Sequence, residues 1–312
     1  MKIGYIFPGQ GTQVVGMGKD IYEKYEKARN VYKIIDSVLN ENIEKLTYEE
    51  KQEELNKTEN TQIAIYAMSM AILEILNNNG IKPVVAAGLS LGEYSALTAA
   101  GAISLEDGAK IVRIRGKLMQ NLAPKGNWAM AAIIGLEDNK VEEACKNVTN
   151  GFVKAVNYNC PGQVVVSGEK DAVMKAMENA KELGAKRVIE LKTSGPFHTE
   201  KLQAASTKLK RELEKIDFKK FEIPVIKNLN GEAYKKEDNM VEILSNHVVN
   251  PVKYGKSIEK MLEMGVDTFI EIGPGKTLSG FVKKVCKKLE KEVNVFNIEN
   301  VETLENTLQA LK

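Results

Sequence analysis

Gly88-Leu-Ser-Leu-Gly92 places a serine where a chain could make a nucleophile of it. The apolar run 84–88 reads as a buried strand and residues 91–100 as a helix. Strand, sharp turn and helix in that order are the context a nucleophile elbow requires. At such a turn the serine is forced out of the path of the chain, with its hydroxyl above the sheet. The flanking glycines let the turn close, and the new helix offers free backbone N–H groups to an oxyanion. Ser90 is therefore the candidate nucleophile.

A serine nucleophile needs a general base, most often histidine, and the chain has only two, His198 and His247. His198 follows Ser194-Gly-Pro-Phe197, a turn-rich stretch that can face a cleft, whereas His247 lies in an apparent helix just before Asn250-Pro251. His198 is the expected base and His247 the better candidate for a structural role. Serine before histidine is the chain order of α/β-hydrolases, which also place an acid between them. Asp171 and Glu190 are poorly placed for that, so no acidic third member is expected.

The third chemical signal is an arginine on an apolar stripe. Residues 108–122 read as a helix, and the neighbours of Arg115 at three and four positions either way are Ile111, Val112, Leu118 and Met119. A buried guanidinium costs several kcal/mol unless a carboxylate meets it, either from the protein or from a ligand. Near a serine elbow, that favours an acyl substrate carrying its own carboxylate, bound bidentately. Arg113, with Ala109, Lys110, Gly116 and Lys117 around it, reads as the solvated side of the same helix.

These residues need a frame to hold them. At 312 residues, 43% hydrophobic and 28% charged, the chain can bury a large core as one or two domains. A net charge of +2 makes no case for nucleic acid or a membrane surface. No apolar stretch approaches the ~18 residues of a membrane span, and no signal peptide is read at the N-terminus. A cytoplasmic monomer is expected. Residues 2–122 alternate strands (3–7, 84–88) with helices (between 20 and 56, then 61–78, 91–100 and 105–121). The last third does likewise, with helices 199–215, 240–247, 254–264 and 277–290, strands 223–227, 267–272 and 293–297, and a terminal helix. Such alternation argues for a mostly parallel sheet covered on both faces.

The middle differs. Strand 128–134, helix 138–147, strands 152–158 and 162–168, helix 170–183 and strand 186–191 give β-α-β-β-α-β in about 65 residues, the ferredoxin-like order. The fold expected is therefore α/β, with a hydrolase-like large domain (1–125 and 193–312) interrupted by a ferredoxin-like α+β subdomain (126–192). The cleft between them is the expected substrate site.

Other signals are weaker. Cys145, Cys160 and Cys286 lack the spacing of a zinc site or a disulfide framework, and nothing near Cys160 activates it. Gly273-Pro-Gly-Lys-Thr277 lacks the first glycine of a phosphate loop, and Gly9-x-Gly11 lacks the third of a dinucleotide fingerprint. Lys283, Lys284, Lys287 and Lys288 form a solvated helix face that could attract an acidic protein or phosphates.

Taken in order, Phe7-Pro-Gly-Gln-Gly-Thr-Gln13, Gly88-Leu-Ser-Leu-Gly-Glu-Tyr94, Arg113-Ile-Arg-Gly116, Asn157-Tyr-Asn-Cys-Pro-Gly-Gln163, Gly195-Pro-Phe-His198 and Glu271-Ile-Gly-Pro-Gly275 form a series. The series resembles the malonyl-CoA:acyl-carrier-protein transacylase family of fatty-acid synthesis, from residue 3 to about residue 290. The resemblance implies the fold just read, with malonyl-CoA and phosphopantetheinylated acyl carrier protein as substrates and no cofactor or metal. It implies Ser90 as nucleophile and His198 as base. The backbone N–H groups of Gln10 and Leu91 would form the oxyanion hole, and Arg115 would hold the malonyl carboxylate. It also implies that Phe197 crowds the substituent at C2 of the acyl group. The base in that family is oriented by a backbone carbonyl at a position usually held by Gln, here His247; a second departure is Leu89, where His is common. A serine thioesterase sharing the elbow is the alternative activity, and a non-catalytic carrier-binding module the alternative class.

Overall fold

The computed structural model describes residues 1–192 and 195–311. Five strands form a parallel sheet and four an antiparallel one, in an α/β architecture with a separate small sheet. The strands, in chain order, are β1 (Ile3–Phe7), β2 (Val85–Gly88), β3 (Trp128–Ile134), β4 (Val153–Cys160), β5 (Gln163–Glu169), β6 (Arg187–Glu190), β7 (Val225–Ile226), β8 (Thr268–Ile272) and β9 (Asn294–Ile298). The large sheet runs β7-β2-β1-β8-β9, parallel throughout. Every residue of β1, β2 and β8 is buried, as expected of strands covered on both faces. From the central strand β1 the chain goes to β2 on one side, and β8 lies on the other. Such a switch point opens a crevice beyond the carboxyl ends of the strands. The elbow and the loop of Pro8–Gln10 lie there.

The small sheet, β4-β5-β3-β6, is antiparallel, in the strand order of a ferredoxin-like unit. Its helices, Asp138–Lys146 and Lys170–Glu182, pack on one face over Ala131, Ile133, Val164 and Val166. The sequence expectation ends the subdomain beside Thr193 and Ser194, which lie outside the described residues. The small sheet is tied to the segment after His247 by a parallel bridge between Asn157 of β4 and Val252: the Tyr158 N–H donates to the Val252 carbonyl at 2.9 Å, and the Val252 N–H to that of Val156 at 2.8 Å. That seam fixes the segment just after His247.

Helix Thr58–Asn78 is buried over most of its circumference and forms the spine of the main core. Helix Leu105–Asn121, capped by the Ser104 hydroxyl on the Asp107 N–H at 3.0 Å, lies close against it. Glycine permits the approach: a Cβ at Gly116 would come within 2.8 Å of Glu59 Cα, and one at Gly108 within 2.0 Å of the Tyr66 hydroxyl. The close packing brings Arg115 to Gln62.

Tertiary packing overrides the sequence reading at three places. The expected helix 199–215 opens as a 3-10 turn, Glu200–Leu202, before Gln203–Leu213. Strand 223–227 shrinks to the two residues of β7, which pairs with β2 on one side and makes a single antiparallel bridge, Ile226 to Ala233, on the other. Arg113 is not on a solvated side. Its side chain is 12% exposed and forks onto Glu41, with Nη2–Oε2 at 2.5 Å and Nε–Oε1 at 3.1 Å. Nη1 donates to the Glu59 carbonyl at 2.7 Å and to Asn60 Oδ1 at 3.0 Å. The small neighbours at 109 and 116 admit other segments rather than water. Arg113→Ala is expected to lower stability by about 1–3 kcal/mol while leaving acyl selectivity unchanged. A denaturant midpoint measured beside the malonyl-to-acetyl rate ratio checks both.

Candidate active site

Ser90 sits at φ 53°, a left-handed backbone that costs a non-glycine residue about 1–2 kcal/mol. The flanking glycines are sterically required. A Cβ on Gly88 would lie 1.9 Å from the Gly92 carbonyl group, and one on Gly92 2.1 Å from the Phe7 carbonyl oxygen. Asn228 clamps the turn: its Oδ1 accepts from the Ser90 N–H at 2.7 Å, and its Nδ2 donates to the Gly88 carbonyl at 2.6 Å.

The Ser90 hydroxyl meets His198 Nε2 at 2.8 Å. His198 Nδ1 lies 3.0 Å from the His247 carbonyl. Only a protonated Nδ1 can donate to that carbonyl, which leaves Nε2 as the acceptor for the serine proton. His198 is also left-handed, at φ 59°, so both partners of the couple hold strained backbone. Among the described residues the ring nitrogens of His198 meet Ser90 Oγ and the His247 carbonyl and no carboxylate. Burial, aided by the charge of Arg115, pushes the His198 imidazole down to about 4.

The sign of that shift gives a prediction. An imidazole acts as base only when neutral, and a lowered pKa keeps it neutral in more acid solution. Single-turnover acylation after a pH jump should stay level from pH 8 to about pH 5 and halve near pH 4, where an ordinary imidazole would halve it near 6.5. A midpoint near 6.5 would contradict the buried, neutral base.

Arg115 has no exposed surface. Its Nη2 lies 3.0 Å from Ser90 Oγ, its Nη1 donates to Gln62 Oε1 at 2.6 Å, and its Cζ stands 5.5 Å from the centre of the Tyr94 ring. Nε has no partner among the described residues. A fork donor with an unused N–H thus sits directly beside the Ser90 hydroxyl, and burial holds its pKa below the ordinary value.

These groups open into a cleft of about 210 Å³ between the sheets, lined by Gln10, Leu91, Met130, Asn157, Phe197 and Phe281 among others. The backbone N–H groups of Gln10 and Leu91 donate to no protein acceptor among the described residues. Phe197 is 5% exposed and walls the cleft with its ring packed over Gly195. Leu89 lines the same cavity. His247 does not reach it: its side chain is wholly buried behind His198, with ring centres 5.2 Å apart. Cys160 is buried and lines a different cavity from Ser90, with its thiol pushed up to about 11. The four lysines of helix Thr277–Leu289 are exposed.

Sequence reasoning missed Asn228, Gln62 and Glu93 as parts of the site. Glu93 was visible only as a motif letter. It is 1% exposed, accepts from the Tyr234 hydroxyl at 2.5 Å, and is pushed up to about 7 by burial.

A strained serine, a carbonyl-oriented histidine and a buried arginine meet at the mouth of a parallel sheet, an arrangement suited to acyl transfer through serine. The chain matches the acyl transferase domain family over residues 4–305 and belongs to it. It is 43% identical to the malonyl CoA-acyl carrier protein transacylase of Bacillus subtilis strain 168, over the whole of this chain and 98% of that protein. Among solved structures, it superposes on the malonyl CoA-acyl carrier protein transacylase of Clostridium perfringens with a TM-score of 0.94, at 47% identity, covering 100% of this chain and 97% of that one. A malonyl-transacylase in complex with a type II polyketide acyl-carrier protein superposes equally well, at 0.94 with 36% identity over 99% and 100% of the two chains.

Proposed function

We propose that the protein transfers a malonyl group from malonyl-CoA to the phosphopantetheine thiol of an acyl carrier protein, supplying extender units for fatty-acid synthesis. The observation that carries the reading is the Arg115 guanidinium, buried and 3.0 Å from the nucleophile. An acyl group with a terminal carboxylate, two carbons from the carbonyl that Ser90 attacks, fits that distance.

In this reading Ser90 Oγ attacks the thioester carbonyl as its proton passes to His198 Nε2. The tetrahedral oxyanion takes the N–H groups of Gln10 and Leu91. The C–S bond then breaks, and CoA leaves as thiol with the proton from His198. The carrier thiol gives its proton to His198, attacks the malonyl-serine ester, and releases Ser90 by the reverse path. The chain's own side chains supply every proton transfer, so the reaction needs no cofactor. The exposed lysines at 283, 284, 287 and 288 offer positive charge to an acidic carrier or to CoA phosphates. Residues 126–192 form the inserted subdomain and 1–125 with 193–312 the acyltransferase body; a cytoplasmic location fits a chain with no membrane-crossing helix among the described residues.

Intact-mass analysis after mixing with malonyl-CoA tests the reading. A malonyl adduct should appear on Ser90 and vanish when phosphopantetheinylated carrier protein is added, with the carrier gaining the same mass. Release of free malonate without an acceptor would instead identify a thioesterase.

A further inference from the structure

Behind the Ser90–His198 couple lies a set of buried polar groups that acyl transfer itself does not use. Glu93 leaves the first turn of the elbow helix Gly92–Ala99 and points inward. Its Oε1 accepts from Tyr234, while its Oε2 accepts from the Asn228 backbone N–H at 3.2 Å and lies 3.4 Å from His247 Nδ1. Neither ring nitrogen of His247 has an aligned hydrogen-bond partner among the described residues, so the Glu93 oxygen is its polar contact.

The contacts close a ring. Ser90 Oγ meets His198 Nε2, His198 Nδ1 meets the His247 carbonyl, and the His247 side chain meets Glu93. Glu93 holds the Asn228 backbone, and the Asn228 side chain returns to the Ser90 N–H. Both strained residues of the couple, at φ 53° and 59°, belong to this ring. Strained backbone persists only where its surroundings over-determine it, and Glu93 joins the Asn228 backbone on the serine side to the His247 side chain on the histidine side. Asn228 also clamps the elbow through its side chain, and the segment after His247 is held by the Asn157–Val252 seam and by the Lys253 N–H, which donates to the Asn228 carbonyl at 2.7 Å.

We propose that Glu93 is a positioning residue for acyl transfer, holding Ser90 in place through Asn228 and His198 in place through His247. At 3.4 Å from His247 Nδ1, Glu93 Oε2 makes a polar contact with the ring while it accepts the Asn228 N–H. Arg115 and Lys227 are the cations that bear on the carboxyl. A glutamine fits the same place: its oxygen takes the position of Oε2 and its amide donates to the Tyr234 oxygen. An alanine leaves the Asn228 N–H, the Tyr234 hydroxyl and His247 without their partner.

This inference rests on Ser90 being the acylated residue, so acylation is read directly as single-turnover formation of the malonyl adduct. Glu93→Ala should slow acylation on the order of 100-fold, the effect of a misplacement near 1 Å. Malonyl-CoA affinity, measured by calorimetry in a Ser90→Ala background, should stay within about twofold, because Arg115 is untouched. Glu93→Gln should recover at least about a tenth of the wild-type rate. His247→Ala, which keeps the carbonyl and removes the ring, cuts the second arm alone and should slow acylation roughly tenfold, again without loss of affinity. It gives an independent reading if Glu93→Ala does not fold. A Glu93→Ala or His247→Ala enzyme that acylates at the wild-type rate overturns the inference, as does a rate loss matched by an equal loss of affinity. A wild-type enzyme without a Ser90 adduct would overturn the reading of the site instead.

Discussion

Arg115→Ala should lose malonyl transfer while acetyl transfer holds or rises. In the wild-type site an acetyl group would leave the buried guanidinium without an anion, a penalty on the order of 2–5 kcal/mol. That range corresponds to about 30- to several-thousand-fold discrimination at 1.4 kcal/mol per decade. The geometry sharpens the expectation. Nη1 is already held by Gln62 and the Tyr94 ring lies under the plane, so the fork is set before substrate arrives. Nη2 is only 3.0 Å from Ser90 Oγ, which would confine the anion of a Ser90-bound acyl group to the end of a short chain. Arg115→Lys keeps the charge but not the fork and should fall between wild type and alanine. Initial rates with the two CoA esters, for all three enzymes, decide the matter. If both acyl groups fall equally in Arg115→Ala, the residue serves only structure and the carboxylate argument fails. Arg113→Ala is the useful contrast, since its guanidinium is consumed by Glu41, Glu59 and Asn60 on the far side of the helix.

What could be read from the sequence was local or periodic. The elbow is five consecutive residues, the apolar neighbours of Arg115 are one helical turn away, and a chain with two histidines leaves little choice of base. Both sheets follow from the alternation of strand and helix patterns, including the β-α-β-β-α-β order of the small one. The unread part was polar and distant in sequence. Asn228 reaches Ser90 across 138 residues and Gln62 reaches Arg115 across 53, and an isolated Asn or Gln carries no pattern that marks it. Arg113 misled for a related reason. Small and charged neighbours look alike whether they face water or another helix, and only the close packing against Glu59 tells the two apart. The orienting group for His198 is a backbone carbonyl, which any residue could supply and no residue type could advertise.

Ser90→Ala should abolish the malonyl adduct and all transfer to the carrier, because among the described residues no other side chain of the cleft has its hydroxyl or thiol on an imidazole. Cys160 is the strongest competitor by chemistry, and its buried thiol, pushed up to about 11, is nearly all protonated at neutral pH. His198→Ala should act differently in degree. Without the base the serine keeps its proton, and acylation should slow by about 10²–10⁴-fold, the usual worth of a positioned general base. The oxyanion donors and Arg115 remain in that variant, so malonyl-CoA should still bind. Because serine and histidine act as one unit, the double variant should be no slower than Ser90→Ala alone. Single-turnover mass spectrometry on the three variants, with peptide mapping of any adduct, reads all of these outcomes. An adduct that persists in Ser90→Ala, or that maps to Cys160, would remove Ser90 from the reaction. Equal and additive losses in the single variants would mean that the 2.8 Å contact between hydroxyl and imidazole does not carry the proton.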